Sequence, residues 1–213
     1  MDGKRLIIFD KDGTLVDSSP GSFGVFEILA KEQGLTSQPR ERWLESLCGP
    51  FSEGIKWIFG LKDEQVTPMA IEFAKIYGRV EAYYDFKEYP GVDEVIHKLA
   101  GKYMLSVATM MLDIFAIKTF QAMDIEGCFL TIQATPMDRW VTKQELINNC
   151  LEIAGVTPAE AVMIGDCKDD LESARKAGID FIGVTYGYGF KEEDCIREGR
   201  PFSRTPMDLL KIL

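Results

Sequence analysis

Basic side chains are scarce in this chain: 24 Lys and Arg stand against 34 Asp and Glu, leaving a formal net charge of −10. A surface of that sign repels polyanions, so nucleic acid is excluded as a partner class. Histidine is nearly absent. The single one, His97, falls in a helical pattern far from any strand end and reads as a surface residue rather than a catalytic one. Cysteine occurs at Cys48, Cys128, Cys150, Cys167 and Cys195, an odd and scattered set without a CxxC pair. Neither a disulfide framework nor a zinc site is indicated, and the thiols read as reduced. No apolar run approaches the roughly 18 residues a membrane span requires, and the start Met1-Asp2-Gly3-Lys4-Arg5 has no apolar signal core. The expectation is a soluble cytoplasmic protein without a membrane partner. Internal repeats and low-complexity tracts are also missing.

What the chain does have is 213 residues, 46% of them hydrophobic, enough for one α/β core and a modest insertion. Everything chemically suggestive converges on Leu6-Ile7-Ile8-Phe9-Asp10-Lys11-Asp12-Gly13-Thr14-Leu15-Val16-Asp17-Ser18. Four consecutive apolar residues suit a strand buried on both faces, and the run stops at an acid-rich turn, which places Asp10 at the strand's carboxyl end. In open α/β sheets that end is where ligands bind. Gly13 lets the chain curl so that Asp10 and Asp12 face one pocket. Two carboxylates that close either share a divalent cation or hold one proton between them. Metal-assisted phosphoryl transfer uses both, one aspartate attacking phosphorus and the other handling the leaving group's proton.

The pattern from Asp17 to Asp85 is helical without a convincing strand: Ser22 to Gln33 closed by Gly34, shorter helices at Arg40 to Leu47 and Ser52 to Phe59, and a long one from Asp63 to about Tyr84. From Pro90 onward helix and strand alternate. Helices are expected at Val92 to Ala100, Ile114 to Met123, Thr142 to Ala154 and Asp169 to Ala177, and strands at Met104 to Ala108, Phe129 to Gln133, Ala161 to Ile164 and Phe181 to Val184. Such alternation implies right-handed crossovers and a parallel sheet. Short helices at Glu192 to Glu198 and Pro206 to Leu213 finish the chain.

Phe9-Asp10-Lys11-Asp12-Gly13-Thr14-Leu15-Val16-Asp17-Ser18 resembles the first motif of the haloacid dehalogenase superfamily, in the phosphatase branch similar to phosphoglycolate phosphatases and nucleotidases. The resemblance implies an α/β three-layer Rossmann-like sandwich with a parallel sheet. It also implies an inserted α-helical cap domain that acts as a lid, the core being residues 1–16 and 87–213 and the cap 17–86. Thr109, after Ser106-Val107-Ala108, occupies the place of the second motif; its hydroxyl and the N–H groups opening the next helix are good donors to a phosphoryl oxygen, although a Thr there also serves as a simple cap. Where the family usually follows that Thr with a polar residue and Lys, this chain has Met110 and Met111. Lys143 is similar to the third-motif lysine and would stabilise the transferring group; Lys118, in mid-helix, is the rival. Asp166 directly follows a strand and Asp170 comes four later, so both can face the pocket.

Mg²⁺ is the expected cofactor, held by Asp10, the main-chain carbonyl of Asp12, Asp166 and Asp170, with Asp169 as an alternative to Asp170. The expected activity is phosphomonoester hydrolysis of a small phosphorylated metabolite through an aspartyl-phosphate on Asp10, with Asp12 as acid and base and Thr109 and Lys143 holding the phosphoryl oxygens. A phosphomutase, and a regulatory or binding homologue that has lost turnover, remain alternatives. A dehalogenase proper is disfavoured by the second acid, Asp12. A monomer or weak homodimer is expected.

Overall fold

The computed structural model describes residues 3–213. The first two residues of the expected core lie outside the described residues. In chain order the elements are β1 (Leu6–Phe9), β2 (Val16–Asp17), α1 (Ser19–Gln33), α2 (Phe51–Phe59), α3 (Asp63–Arg79), β3 (Lys87–Glu88), α4 (Val92–Ala100), β4 (Met104–Leu112), α5 (Asp113–Ala122), β5 (Thr131–Thr135), α6 (Lys143–Ala154), β6 (Ala161–Gly165), α7 (Lys168–Ala177), β7 (Asp180–Val184), α8 (Glu192–Arg197), β8 (Phe202–Ser203) and α9 (Leu209–Ile212). The chain divides into two compact units, one formed by the residues up to Asp17 with Glu88–Leu213, the other by Ser18–Lys87.

The first unit is built on a six-stranded sheet in the order β5-β4-β1-β6-β7-β8, parallel at every pairing. Residues Leu6 to Phe9 are fully buried because both faces of β1 are covered. Leu6 and Ile8 point into a cluster with Leu146, Ile147 and Cys150 of α6 and Leu171 and Ala174 of α7. On the opposite face Phe9 meets Phe129 edge-on, and Phe129 in turn meets Phe120 of α5. This is the three-layer α/β sandwich. Chain order explains the layers: the steps β1 to β4 to β5 run outward in one direction and β6 to β7 to β8 in the other, so right-handed crossovers put their helices on opposite faces. The reversal falls between β1 and β6, where a crevice opens at the strands' carboxyl ends.

The second unit is helical, with α1 packed on α3 and α2 on α3. Phe26 of α1 sits among Trp43, Phe59 and Phe73. Gly34, in the left-handed conformation at φ 62°, closes α1 and donates its N–H back to Ala30.

Several elements differ from the sequence pattern, with α1 starting at Ser19 and β5 at Thr131 among them. The long helix stops at Arg79 rather than near Tyr84, because Glu81 turns left-handed at φ 53°; Val80, just past its end, is exposed. The second core strand runs on to Leu112, with an irregularity in its pairing to β5 between Ala108 and Leu112. Finally, β8 adds a sixth strand of only two residues, too short to carry an alternation that a sequence could display.

Candidate active site

Asp10 is the first residue beyond β1, and its N–H donates to Ile164 of β6, which fixes it at the crevice. The chain then curls tightly: Leu15 donates its N–H to Lys11 O at 2.9 Å and Gly13 to Val16 O at 2.8 Å. Gly13 adopts φ +81°, and a Cβ there would stand 2.3 Å from Asp166 Oδ2. Only glycine lets the turn and Asp166 approach so closely.

Lys143 opens α6, whose N-cap Thr142 accepts the Glu145 N–H through its hydroxyl. That cap fixes the first helical turn and delivers the lysine side chain to the crevice. Lys143 Nζ donates to Asp10 Oδ1 at 2.8 Å and also to Asp170 Oδ1. Asp170 sits at the third position of α7 and accepts the Cys167 N–H through its other oxygen at 3.0 Å. It is fully buried while Asp169 is only partly so, and this settles which of the two neighbours turns inward. Asp166, also fully buried, accepts the Tyr188 N–H on Oδ2 at 2.7 Å. Its Oδ1 is buried without a hydrogen-bond partner among the described residues.

Burial pushes the Asp10 pKa well above the carboxylate range, against the pull of Lys143 and with the charges of Asp170, Asp166 and Asp12 adding to it. Burial likewise pushes Asp166 up to about 7, reinforced by Asp170 and opposed by the Tyr188 N–H and Lys143. For Lys143, burial alone would favour the neutral amine, but the Asp10 and Asp170 carboxylates outweigh it and hold the ammonium well above its usual value.

Asp10, Asp166 and Asp170 offer carboxylate oxygens within 4.8 Å of one another, all buried. One ammonium cannot balance three carboxylates. An all-oxygen donor set, an orphaned Asp166 oxygen and this excess of negative charge together fit a hard divalent cation.

The other expected residues are distributed as follows. Thr109 is buried within β4, not at a helix start as the sequence suggests; α5 begins only at Asp113. Its Oγ1 accepts the Met111 N–H at 3.1 Å, which leaves the hydroxyl proton to donate elsewhere. Met110 packs against the core cluster around Leu146. The Asp12 carboxylate is partly exposed and lies 2.5 Å from the ammonium of Lys11. Lys118 is exposed on α5 and His97 on α4.

Sequence reasoning passed over Lys11, whose side chain is almost fully buried, and the Tyr186-Gly187-Tyr188 loop. The signal for the loop was available, since glycines directly after a buried strand mark a tip where backbones approach closely.

A family model for haloacid dehalogenase-like hydrolases matches residues 7–184, a span that contains Asp10, Asp12, Thr109, Lys143, Asp166 and Asp170. The chain belongs to the haloacid dehalogenase-like hydrolase family. Among the hydrolases it resembles, a 5'-nucleotidase from Pseudomonas aeruginosa is 31% identical over 198 residues, covering 92% of this chain and 88% of the other. A phosphoglycolate phosphatase from Salmonella typhi is 26% identical over 238 residues, covering 98% and 92%. The fold matches that of a haloacid dehalogenase-like family hydrolase from Streptococcus pneumoniae with a TM-score of 0.90 at 24% identity, over 100% of this chain and 99% of the other. Within the family, the protein is an enzyme of the phosphatase class. Among the described residues no helix is long and apolar enough to cross a membrane.

Proposed function

We propose that this protein is a Mg²⁺-dependent phosphomonoester phosphatase that acts on a small phosphorylated metabolite through an aspartyl-phosphate on Asp10. The observation that carries this reading is the pairing of Asp10 Oδ1 with Lys143 Nζ at 2.8 Å, at the tip of the strand beside the switch point. A cation beside a buried carboxylate serves two purposes: it opposes the upward push of burial on the Asp10 pKa and can take a transferring phosphoryl oxygen.

In this reading an oxygen of Asp10 attacks phosphorus in line, the ester bond to the leaving alcohol breaks, and Asp12 supplies the alcohol's proton. Asp12 then takes a proton from the water that hydrolyses the acyl phosphate, releasing inorganic phosphate and restoring Asp10. Lys143 and the Thr109 hydroxyl hold the phosphoryl oxygens throughout. Asp10, Asp166, Asp170 and the main-chain carbonyl of Asp12 would hold Mg²⁺, which when bound offsets the negative charge of the phosphate and its carboxylate neighbours. The helical unit Ser18–Lys87, inserted directly after the nucleophile's turn, is the proposed cap and the source of substrate selectivity. The acidic net charge of −10 suits a soluble cytoplasmic enzyme, monomeric or weakly dimeric, with a metabolite rather than nucleic acid as its substrate.

The test is phosphate release from sugar phosphates, phosphoglycolate and nucleoside monophosphates, with Mg²⁺ and with chelator, alongside Asp10→Asn. Mg²⁺-dependent release that the variant abolishes supports the reading. Isomerisation of a sugar phosphate in the presence of a bisphosphate activator, without release of inorganic phosphate, would favour a phosphomutase, and no turnover of any phosphomonoester would overturn the enzyme assignment. Metal binding has its own readout: a cation held at a hundred times its Kd stabilises the native state by about 2.7 kcal/mol, so saturating Mg²⁺ raises the Tm of wild type, and Asp166→Ala blunts the rise.

A further inference from the structure

Four hydrogen bonds tie the loop after β7 to the floor of the site. The Tyr188 N–H donates to Asp166 Oδ2 at 2.7 Å, and the Phe190 N–H to the Asp166 main-chain oxygen, also at 2.7 Å. The Tyr186 hydroxyl donates to the main-chain oxygen of Thr14 at 3.0 Å, and the Tyr188 hydroxyl to Asp17 Oδ1 at 3.0 Å. Between the tyrosines, Gly187 lies so close that a Cβ on it would stand 2.2 Å from Gly13 O and 2.5 Å from Asp166 Cβ. Tyr186 also packs its ring edge-on against Tyr89, at 4.9 Å between centroids. One loop thus grips the first motif at Gly13-Thr14 and at Asp17, and both the side chain and the main chain of Asp166.

The consequence for Asp166 is directional. With Oδ2 held by the Tyr188 N–H and the chain behind it held by Phe190, the carboxylate cannot rotate freely. Its Oδ1 stays buried and unpartnered, a state that costs free energy unless a ligand takes that oxygen. Asp17 and Tyr188 have no part in the proposed chemistry, yet their contact anchors the loop that sets this orientation.

We propose that Tyr188, with Gly187, is a positioning residue for the cation site: the loop locks Asp166 so that Oδ1 is presented to the metal, and the Tyr188–Asp17 hydrogen bond holds the loop in place. This rests on the reading of Asp166 as a metal ligand. Partners that orient a ligand's far oxygen commonly control metal affinity by one to two orders of magnitude. The Tyr188→Phe variant keeps the ring and the main-chain donor but releases the tether to Asp17. Gly187→Ala instead pushes the loop off Gly13 and Asp166.

The experiment is calorimetric titration of metal-free protein with Mg²⁺ and with Mn²⁺, for wild type, Tyr188→Phe, Gly187→Ala and Asp166→Asn, with the metal-free Tm of each measured in chelator. The expected result is a Kd for the cation raised roughly tenfold in Tyr188→Phe and further in Gly187→Ala, with the metal-free Tm of Tyr188→Phe close to that of wild type. If Gly187→Ala fails to fold, Tyr188→Phe carries the test. Wild-type affinity in Tyr188→Phe, together with lost affinity in Asp166→Asn, overturns the positioning role and leaves the proposed function standing. Wild-type affinity in Asp166→Asn overturns the metal site itself, and this inference with it.

Discussion

Lys143 Nζ lies 2.8 Å from Asp10 Oδ1 although 133 residues separate them, and both side chains are less than a tenth exposed. The same ammonium reaches Asp170, so a single cation holds together the tips of β1 and the first turns of α6 and α7. Removing one partner of a buried pair strands the other's charge, at a cost of about 3 kcal/mol or more. Lys143→Met is expected to lower metal-free stability by that order in urea unfolding, and saturating Mg²⁺ to restore part of the loss. Equal stability of variant and wild type without metal would show that the pair holds nothing together.

Asp10→Asn keeps a hydrogen-bond acceptor for Lys143 but has no carboxylate to attack phosphorus. Its turnover is expected to fall by at least about a thousandfold, with a Tm close to that of wild type. Incubation with a radiolabelled substrate and acid quenching should label wild type and leave the variant unlabelled. Substantial turnover by a folded Asp10→Asn enzyme would remove Asp10 as the nucleophile.

Met110 and Met111 separate into different roles. Met110 packs on the core cluster, so Met110→Ala is expected to cost about 1–2 kcal/mol of stability. Met111 donates its N–H to Thr109 Oγ1 and stands where related phosphatases carry a charged residue. Met111→Lys is expected to lower KM for phosphoglycolate while barely changing that for an aryl phosphate. Tight phosphoglycolate turnover by wild type would contradict this.

Glu160 closes the turn before β6. It accepts from the Thr157 N–H at 2.9 Å and its hydroxyl at 2.8 Å, and from Arg5 at 2.9 Å. The Thr157 N–H, the Arg5 guanidinium and the Thr157 hydroxyl lower its pKa from 4.5 to about 2. A depressed carboxylate stabilises the fold above its unfolded pKa, and this contribution is lost as pH falls from 4.5 toward about 2. Glu160→Gln should therefore flatten the decline of the urea midpoint between pH 5 and pH 2.5 relative to wild type, where an unchanged acid limb would mean that these contacts contribute nothing.

The sequence by itself determined the α/β fold class, the buried strand that ends at Asp10 and the strand tip that carries Asp166. Each of these is a local pattern: an apolar run ended by Asp10-Lys11-Asp12-Gly13, and Gly165-Asp166 followed after three residues by Asp170. Local patterns also located α4, predicted at its observed bounds Val92–Ala100. What only the tertiary structure decided is which side chains meet. That Asp170 rather than Asp169 turns inward follows from its bonds to the Cys167 N–H and to Lys143. The end of α3 at Arg79 depends on the left-handed Glu81, which apolar periodicity does not register. Met110 packs against the core and Thr109 lies inside β4, which runs on to Leu112 and has an irregularity in its pairing with β5 after Ala108. The tyrosine loop's hold on Asp166 joins residues 22 apart, and Lys11, a charged residue in a turn, is almost fully buried. The physical reason is common to all of them. Periodicity and turn chemistry act within a few residues, whereas the partner of a buried polar group is chosen by how distant elements pack.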